Sequence, residues 1–211
     1  MKYLIGIDEV GRGPIAGPVA VGAFVFLKRN LAKLFKGVKE SKQLSEAKRE
    51  EWFAKILEIQ KNGHIDFCVS FQSRKKIDSK GLSWAIKQAV KSSLNKVCCN
   101  STIDSNNCTV LLDGGLKAPA EFLNQKTIIK GDEKEIVIAL ASICAKVMRD
   151  RRMIKLGKKY PEYGFEIHKG YGTRKHYEAI KKFGMLDEHR RSFLKGRKFR
   201  KRGRELLKLI A

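Results

Sequence analysis

The chain has 211 residues, 43% of them apolar and 32% charged; that length suits one domain with its own core, and the mix excludes a disordered or collagen-like chain. Lys and Arg number 45 against 22 Asp and Glu, a net charge of +23. Such an excess adds nothing to a hydrophobic core and points to a polyanion partner, most often nucleic acid.

Tyr3–Ile7 is an apolar run that stops at Asp8-Glu9 and a Gly-rich turn, and it reads as a strand. Pro18–Leu27, rich in Val, Ala and Phe, reads as a second strand joined to the first through Gly11-Arg12-Gly13-Pro14. Ser45 is placed to cap a helix over Glu46–Gln60, which Gly63 ends. Ile65, Phe67, Val69 and Phe71 alternate as a strand does, and Leu82–Val97 returns to a helical spacing. Thr109–Leu112 and Thr127–Ile129 read as short buried strands, each followed by a turn that presents an aspartate, Asp113 or Asp132. Glu135–Leu156 reads as a long helix whose small residues, Ala139, Ala141, Ser142 and Ala145, allow close approach to a sheet. Arg174–Phe183 is a further helix, ended by Gly184. The order predicts an α/β domain with a mixed central sheet flanked by helices over residues 1–185. Residues 186–211 are expected to form a basic helical C-terminal appendage.

The charge is uneven, because residues 145–211 hold 22 basic and only 7 acidic residues. The five cysteines are odd in number and contain no Cys-x-x-Cys pair, and the four histidines make no metal-type spacing with them. A disulfide framework or zinc site is therefore disfavoured, and a reducing compartment is expected. The first apolar run is too short for a signal core. Val19–Leu27 falls far below the ~20 residues that span a bilayer. The expectation is a soluble, cytoplasmic protein with no membrane contact.

An Asp-Glu pair such as Asp8-Glu9 is ordinarily two solvated charges. Here it lies between an apolar strand and a glycine turn, and Asp113 and Asp132 also follow short strands. Neighbouring strand residues point to opposite faces, so Asp8 and Glu9 can share a site only where the strand ends or twists. Gathered carboxylates repel unless a cation neutralises them. Hard oxygen ligands suit Mg²⁺ or Mn²⁺, and two such ions can activate water and stabilise the leaving oxygen in phosphodiester cleavage. Gly11-Arg12-Gly13 is no dinucleotide fingerprint, since Pro14 intervenes and no helix follows. It is either a plain hairpin turn or a set of N–H groups and a guanidinium aimed at a sugar and phosphate. Tyr171, between Gly170 and Gly172, is either part of a surface loop or a ring free to stack on a sugar or base. Lys146 and Arg149 share one helix face and could meet phosphate, although a charge run is more often a solvated face. Cys144 and Cys98-Cys99 read as inert thiols.

Together these segments resemble ribonuclease HII. Gly6-Ile7-Asp8-Glu9-Val10-Gly11-Arg12-Gly13-Pro14 is similar to the family's opening motif, and Ser41-Lys42-Gln43-Leu44-Ser45 to its Asp-Ser-Lys-Lys-Leu-Ser element. Leu112-Asp113-Gly114, Lys130-Gly131-Asp132 with the Ala141–Asp150 helix, and His168-Lys169-Gly170-Tyr171-Gly172-Thr173 complete the set. The resemblance implies an RNase H-like fold and cleavage of RNA in RNA–DNA hybrids, with incision 5′ to a single ribonucleotide in duplex DNA. It implies 3′-hydroxyl and 5′-phosphate products, and in-line attack by water activated by two Mg²⁺ or Mn²⁺ ions. Asp8, Glu9, Asp113 and Asp132 would be the metal-binding carboxylates. Gly11, Arg12 and Gly13 would read the 2′-hydroxyl that marks RNA, and Tyr171 would stack at the ribo-to-deoxyribo junction. Ser41, Lys42, Lys146, Arg149 and Lys169 are expected on the nucleic acid. Where the family has Asp and Lys, this chain has Glu40 and Gln43. The acidic motif at residue 8 leads to the expectation of no N-terminal domain of the ribonuclease HIII kind. A monomer is expected, and the sequence does not reveal whether a sliding clamp binds. The rival class is a non-catalytic RNA- or DNA-binding protein, which would need no acids at strand ends.

Overall fold

The computed structural model describes residues 3–28, 30–38, 44–196 and 199. Strand β1 (Tyr3–Val10) pairs antiparallel with β2 (Val19–Phe26), and β2 pairs antiparallel with β3 (Ile65–Gln72). On its other edge β1 runs parallel to β4 (Cys108–Asp113), which is parallel to β5 (Gln125–Ile128). The spatial order is β3-β2-β1-β4-β5, the mixed sheet that the sequence predicts.

Both faces of the sheet are covered. Helix α1 (Glu46–Lys61) starts at Ser45, whose hydroxyl accepts from the Lys48 N–H at 3.2 Å. Helix α2 (Arg74–Lys80) is a polar helix of about two turns capped by Ser73. Only its Ile77 is buried, so no apolar period announces it in the sequence. Helix α3 (Leu82–Asn100) lays Ala85, Ala89, Val90, Leu94 and Val97 on the face formed by Ile5, Ile7, Val21 and Val110. On the opposite face the long helix α5 (Ile136–Lys159) packs with α1 around Phe24, Phe53 and Ile56.

Two glycines let α5 come unusually close. A Cβ on Gly6 would stand 2.2 Å from the Val137 carbonyl carbon, and one on Gly22 would stand 2.3 Å from the Ala141 oxygen. Backbone touches backbone at both places, so no larger residue fits. That contact fixes the register of α5 over β1 and β2, and hence the residues it aims at the end of the sheet.

Beyond α5, helices α6 (Phe165–His168) and α7 (Arg174–Phe183) build a third core with Ile15, Ala16, Met153 and Tyr163. Leu186 and Leu194 belong to the same cluster. His189 and Arg190 are fully buried, Arg190 N–H donates to the Ile15 carbonyl at 2.7 Å, and Gly17 N–H donates to Glu188 at 2.9 Å. No break in packing therefore falls at residue 186, and residues 186–194 are part of the body rather than an appendage. The rest of the expected basic tail, apart from Lys195, Gly196 and Phe199, lies outside the described residues. Among the described residues no helix is long and apolar enough to cross a membrane. All five cysteines are free.

Candidate active site

Strand β1 does not stop at Ile7. Its pairing with β4 ends there, at Ile7↔Leu112, while its pairing with β2 continues through Asp8↔Gly22, Glu9↔Val21 and Val10↔Ala20. Asp8 and Glu9 thus occupy a stretch of strand with a neighbour on one side only. Asp113 is the last residue of β4, one step beyond that final parallel pair. Asp132 is not in a turn at a strand end, as the sequence suggests. It sits in the one-turn helix α4 (Gly131–Lys134), entered through Lys130 in a left-handed conformation. β5 also starts two residues earlier than expected, because Gln125 and Lys126 pair through backbone alone and carry no apolar signal.

Asp8, Glu9 and Asp113 lie close enough to sense one another's charge. Asp8 and Asp132 are each 4% exposed. Burial pushes the Asp8 carboxyl up to about 8; a Ser142 hydrogen bond opposes that, while the charges of Glu9 and Asp113 add to it. Burial likewise raises Glu9, against the pull of Arg12, and Asp113 raises it further. Arg12 Nη1 donates to Glu9 Oε1 at 2.9 Å, while Glu9 Oε2 is buried without a hydrogen-bond partner. Asp113 Oδ1 accepts from the Gly131 N–H at 2.6 Å, which fastens α4 and its Asp132 beside β4. Among the described residues no three acids, histidines or cysteines converge tightly enough to ligate one ion as they stand. The buried Glu9 oxygen without a partner and the raised Asp8 carboxyl both mark a place where a divalent cation would favour the charged carboxylates, and an all-oxygen donor set suits Mg²⁺ or Mn²⁺.

Beside the acids stands the 11–18 turn. Gly11 has φ +93, and a Cβ there would meet Arg149 Nε at 2.2 Å. The Tyr171 ring lies against Gly13, 3.5 Å from where a Cβ would be, and Tyr171 is 46% exposed. The structure therefore brings together two segments that lie far apart in the sequence. The loop under Tyr171 is held by histidines. His176 Nδ1 lies 2.8 Å from the Tyr171 carbonyl and so carries the proton that it donates. His176 Nε2, 3.1 Å from His189 Nε2, must then accept from it, and His189 Nδ1 accepts from the Leu186 N–H at 2.8 Å. Burial lowers His176 to about 4 and His189 to about 3; the His168 ring adds to the first effect, and the His176 and His168 rings to the second.

Three expected nucleic-acid contacts have partners within the chain. Arg149 is fully buried, with Nε on the Pro18 carbonyl at 3.0 Å and Nη1 on the Lys169 carbonyl at 3.1 Å, so it supports the turn from beneath. The Lys169 side chain is 11% exposed; its ammonium bonds the Glu166 carbonyl and pairs with Glu46 at 3.3 Å. Lys146 pairs with Asp150 at 2.8 Å. Ser41 and Lys42 lie outside the described residues. Sequence reasoning misses two residues. Ser142 reads only as a small packing residue, although it hydrogen-bonds Asp8. Arg190 reads as one more solvated charge, although it is buried against the turn.

A family profile described as Ribonuclease HII matches residues 5–196. Ribonuclease HII of Clostridioides difficile is 44% identical over 193 residues, which cover 92% of this chain and 70% of that protein. The crystal structure of ribonuclease H2 from Pyrococcus horikoshii superposes with a TM-score of 0.70 at 28% identity, over 90% of this chain and 93% of that one. Ribonuclease HII of Archaeoglobus fulgidus, solved in a complex with PCNA, has the same fold, with a TM-score of 0.71 at 24% identity over 96% of this chain and 98% of that one. The four acids, the glycine turn and the tyrosine loop all fall inside the matched span, and the chain belongs to the ribonuclease HII family of hydrolases.

Proposed function

We propose that the chain is a monomeric, divalent-metal-dependent endoribonuclease. It cleaves the RNA strand of RNA–DNA hybrids and incises 5′ to a single ribonucleotide in duplex DNA. The observation that carries this reading is the acid cluster itself. In a protein of net charge +23, Asp8, Glu9 and Asp113 sense one another's charge, Asp8 is raised to about 8 by burial and by its acidic neighbours, and the Gly131 N–H that Asp113 holds precedes Asp132. A protein that only binds nucleic acid has no use for that arrangement, because buried negative charge repels a polyanion and weakens the fold.

Asp8, Glu9, Asp113 and Asp132 would hold the ions. When bound, Mg²⁺ or Mn²⁺ supplies a water of lowered pKa and stabilises the charge that builds on the leaving oxygen. The chain's own residues do the rest. Ser142 orients Asp8, and the Gly131 N–H orients Asp113. Arg12 holds one Glu9 oxygen and leaves the other, buried and without a hydrogen-bond partner, to serve a cation. The N–H groups of the Gly11–Gly13 turn and the Tyr171 ring flank the scissile phosphate and read the 2′-hydroxyl and the sugar that follows. The oxygen of a water would form a new bond to phosphorus as the bond from phosphorus to O3′ breaks; one water proton ends on O3′ and the other is released, which leaves a 3′-hydroxyl and a 5′-phosphate. A groove of about 780 Å³ leads away from Arg12, and its charged walls are Arg12, Lys87 and Lys117 with no acid, which suits a nucleic-acid backbone.

The test is incubation with a duplex holding one ribonucleotide, with and without Mg²⁺. A metal-dependent nick 5′ to the ribonucleotide supports the reading, as does its loss in Asp8→Asn. Binding without any nick at any divalent-metal concentration would return the chain to the non-catalytic class.

A further inference from the structure

We propose that Arg190 is a positioning residue that sets the shape of the Gly11–Gly13 turn and, through it, the preference for a ribonucleotide over a deoxyribonucleotide. The inference rests on the reading of that turn given above.

Arg190 is fully buried, and each of its three guanidinium nitrogens holds a carbonyl of the 11–18 segment. Nε donates to Gly17 at 2.9 Å, Nη1 to Arg12 at 2.9 Å and Nη2 to Gly11 at 2.7 Å. Two of those carbonyls belong to the residues whose N–H groups would read the sugar. A carbonyl fixed on one side of a peptide plane fixes the N–H on the other side of that plane. The guanidinium therefore aims the turn without touching substrate. Gly11 at φ +93 gains no side-chain restraint of its own, so the restraint has to come from outside the turn.

The arrangement is costly. Arg149 lies close enough that its charge, after burial, helps to lower Arg190 to about 9. Among the described residues no carboxylate pairs with either guanidinium within ion-pair distance. Two like charges buried side by side destabilise a fold unless their donors are well used. Arg190 spends every guanidinium nitrogen on the carbonyls of Gly11, Arg12 and Gly17, and Arg149 divides its bonds between the Pro18 and Lys169 carbonyls. A lysine, with one nitrogen, cannot span three carbonyls from Gly11 to Gly17.

The segment that carries Arg190 is itself anchored by α2. Asp78 on α2 accepts from the Arg191 N–H at 3.0 Å, the Ser192 N–H at 2.9 Å and the Ser192 hydroxyl at 2.6 Å. Arg74 joins Asp78 to Asp187, which it meets at 2.9 Å. The polar helix α2 and the 187–192 segment thus form a bracket whose inward arm is Arg190.

The test compares dissociation constants, in EDTA so that binding is not followed by cleavage. The probes are a duplex with one ribonucleotide and the same sequence in DNA alone. Wild type should prefer the first. Arg190→Lys should lose about tenfold of that preference while its affinity for the all-DNA duplex changes less than twofold, because a general loss of structure would weaken both alike. Asp78→Asn, a change at a partly exposed residue at the other end of the bracket, should move the ratio in the same direction by a smaller factor. It carries the test if Arg190→Lys does not fold. An unchanged ratio in a folded variant overturns the inference. A wild type with no preference at all overturns the reading of the turn, and this inference with it.

Discussion

Asp113, the last residue of β4, accepts a hydrogen bond from the backbone N–H of Gly131 at 2.6 Å. One carboxylate thereby places the helix turn that carries another, Asp132, and the acid cluster is partly self-assembled before any cation arrives. The second Asp113 oxygen and the Asp8 and Glu9 carboxylates are left in mutual repulsion. A ligand that binds only the folded state and relieves this strain must stabilise the protein.

Mg²⁺ should therefore raise the melting temperature. A hundredfold excess over the dissociation constant contributes about 2.7 kcal/mol, and a domain of this size shifts by ~2–4 °C per kcal/mol. The expected rise is roughly 5–10 °C, reversed by EDTA. In Asp8→Asn the rise should largely vanish, while the metal-free melting temperature should be equal to or higher than that of wild type, because the substitution removes a carboxyl whose ionisation burial and its acidic neighbours oppose. Thermal melts of both proteins with and without Mg²⁺ decide it; an equal shift in the two would remove Asp8 from the metal site.

Gly22→Ala should damage the site from a distance. Gly22 pairs across the sheet with Asp8, and a Cβ there would stand 2.3 Å from the Ala141 oxygen. Backbone cannot move aside as a side chain can, so α5 must lift. The cost should be about 3 kcal/mol. Ser142 follows Ala141, so its hydroxyl leaves Asp8, and Mg²⁺ affinity should fall by about tenfold, the usual scale for losing a group that orients a metal ligand. Calorimetric titration of Mg²⁺ into the folded variant measures this. Unchanged affinity would show that Ser142 does not orient Asp8.

What is legible in the sequence is local. Three of the four acids follow short apolar strands, Ser45 announces its helix, and glycines mark the turns. What is not legible depends on where a charge ends up. Arg149 and Arg190 look like any solvated basic residue in a run of them, yet both are buried against carbonyls contributed by residues more than a hundred positions away. No periodicity distinguishes a guanidinium that binds phosphate from one that binds its own backbone. The short helices α2 and α4 escape the sequence for a related reason. Each is held by hydrogen bonds to distant groups, Asp78 to the 191–192 backbone and Gly131 to Asp113, rather than by an apolar face.

The histidine chain beneath Tyr171 should make stability fall in acid. An unfolded histidine takes its proton near pH 6.5, whereas folded His176 and His189 resist until about 4 and about 3. Between those values the unfolded chain binds more protons, so lowering the pH favours unfolding. The contribution is whole above about pH 6.5 and is lost as pH falls toward 4, by at most ~1.4 kcal/mol per pH unit for each ring. Asp8, whose shift has the opposite sign, acts in the other direction, so the readout is a difference. Between pH 7 and pH 5 the melting temperature of His176→Phe should fall less than that of wild type. Equal falls would mean that these rings do not govern the acid limb.

The basic residues at the end of the chain should add affinity without choosing the cleavage site. Lys198–Ala211 holds six Lys and Arg against one acid and lies, apart from Phe199, outside the described residues. Each phosphate that a basic side chain neutralises steepens the fall of log affinity with log salt by about 0.9. Deleting Lys198–Ala211 should therefore flatten that slope in proportion to the number of phosphates the tail meets, and weaken hybrid binding at low salt more than at high salt. The nick should stay at the same phosphodiester, because the acids, the turn and Tyr171 are all held by residues before 195. Binding to a labelled hybrid across a salt series, with product mapping on a sequencing gel, checks both halves. An unchanged slope would assign the charge excess of the last third to the body of the protein, and a displaced nick would make the tail part of the site.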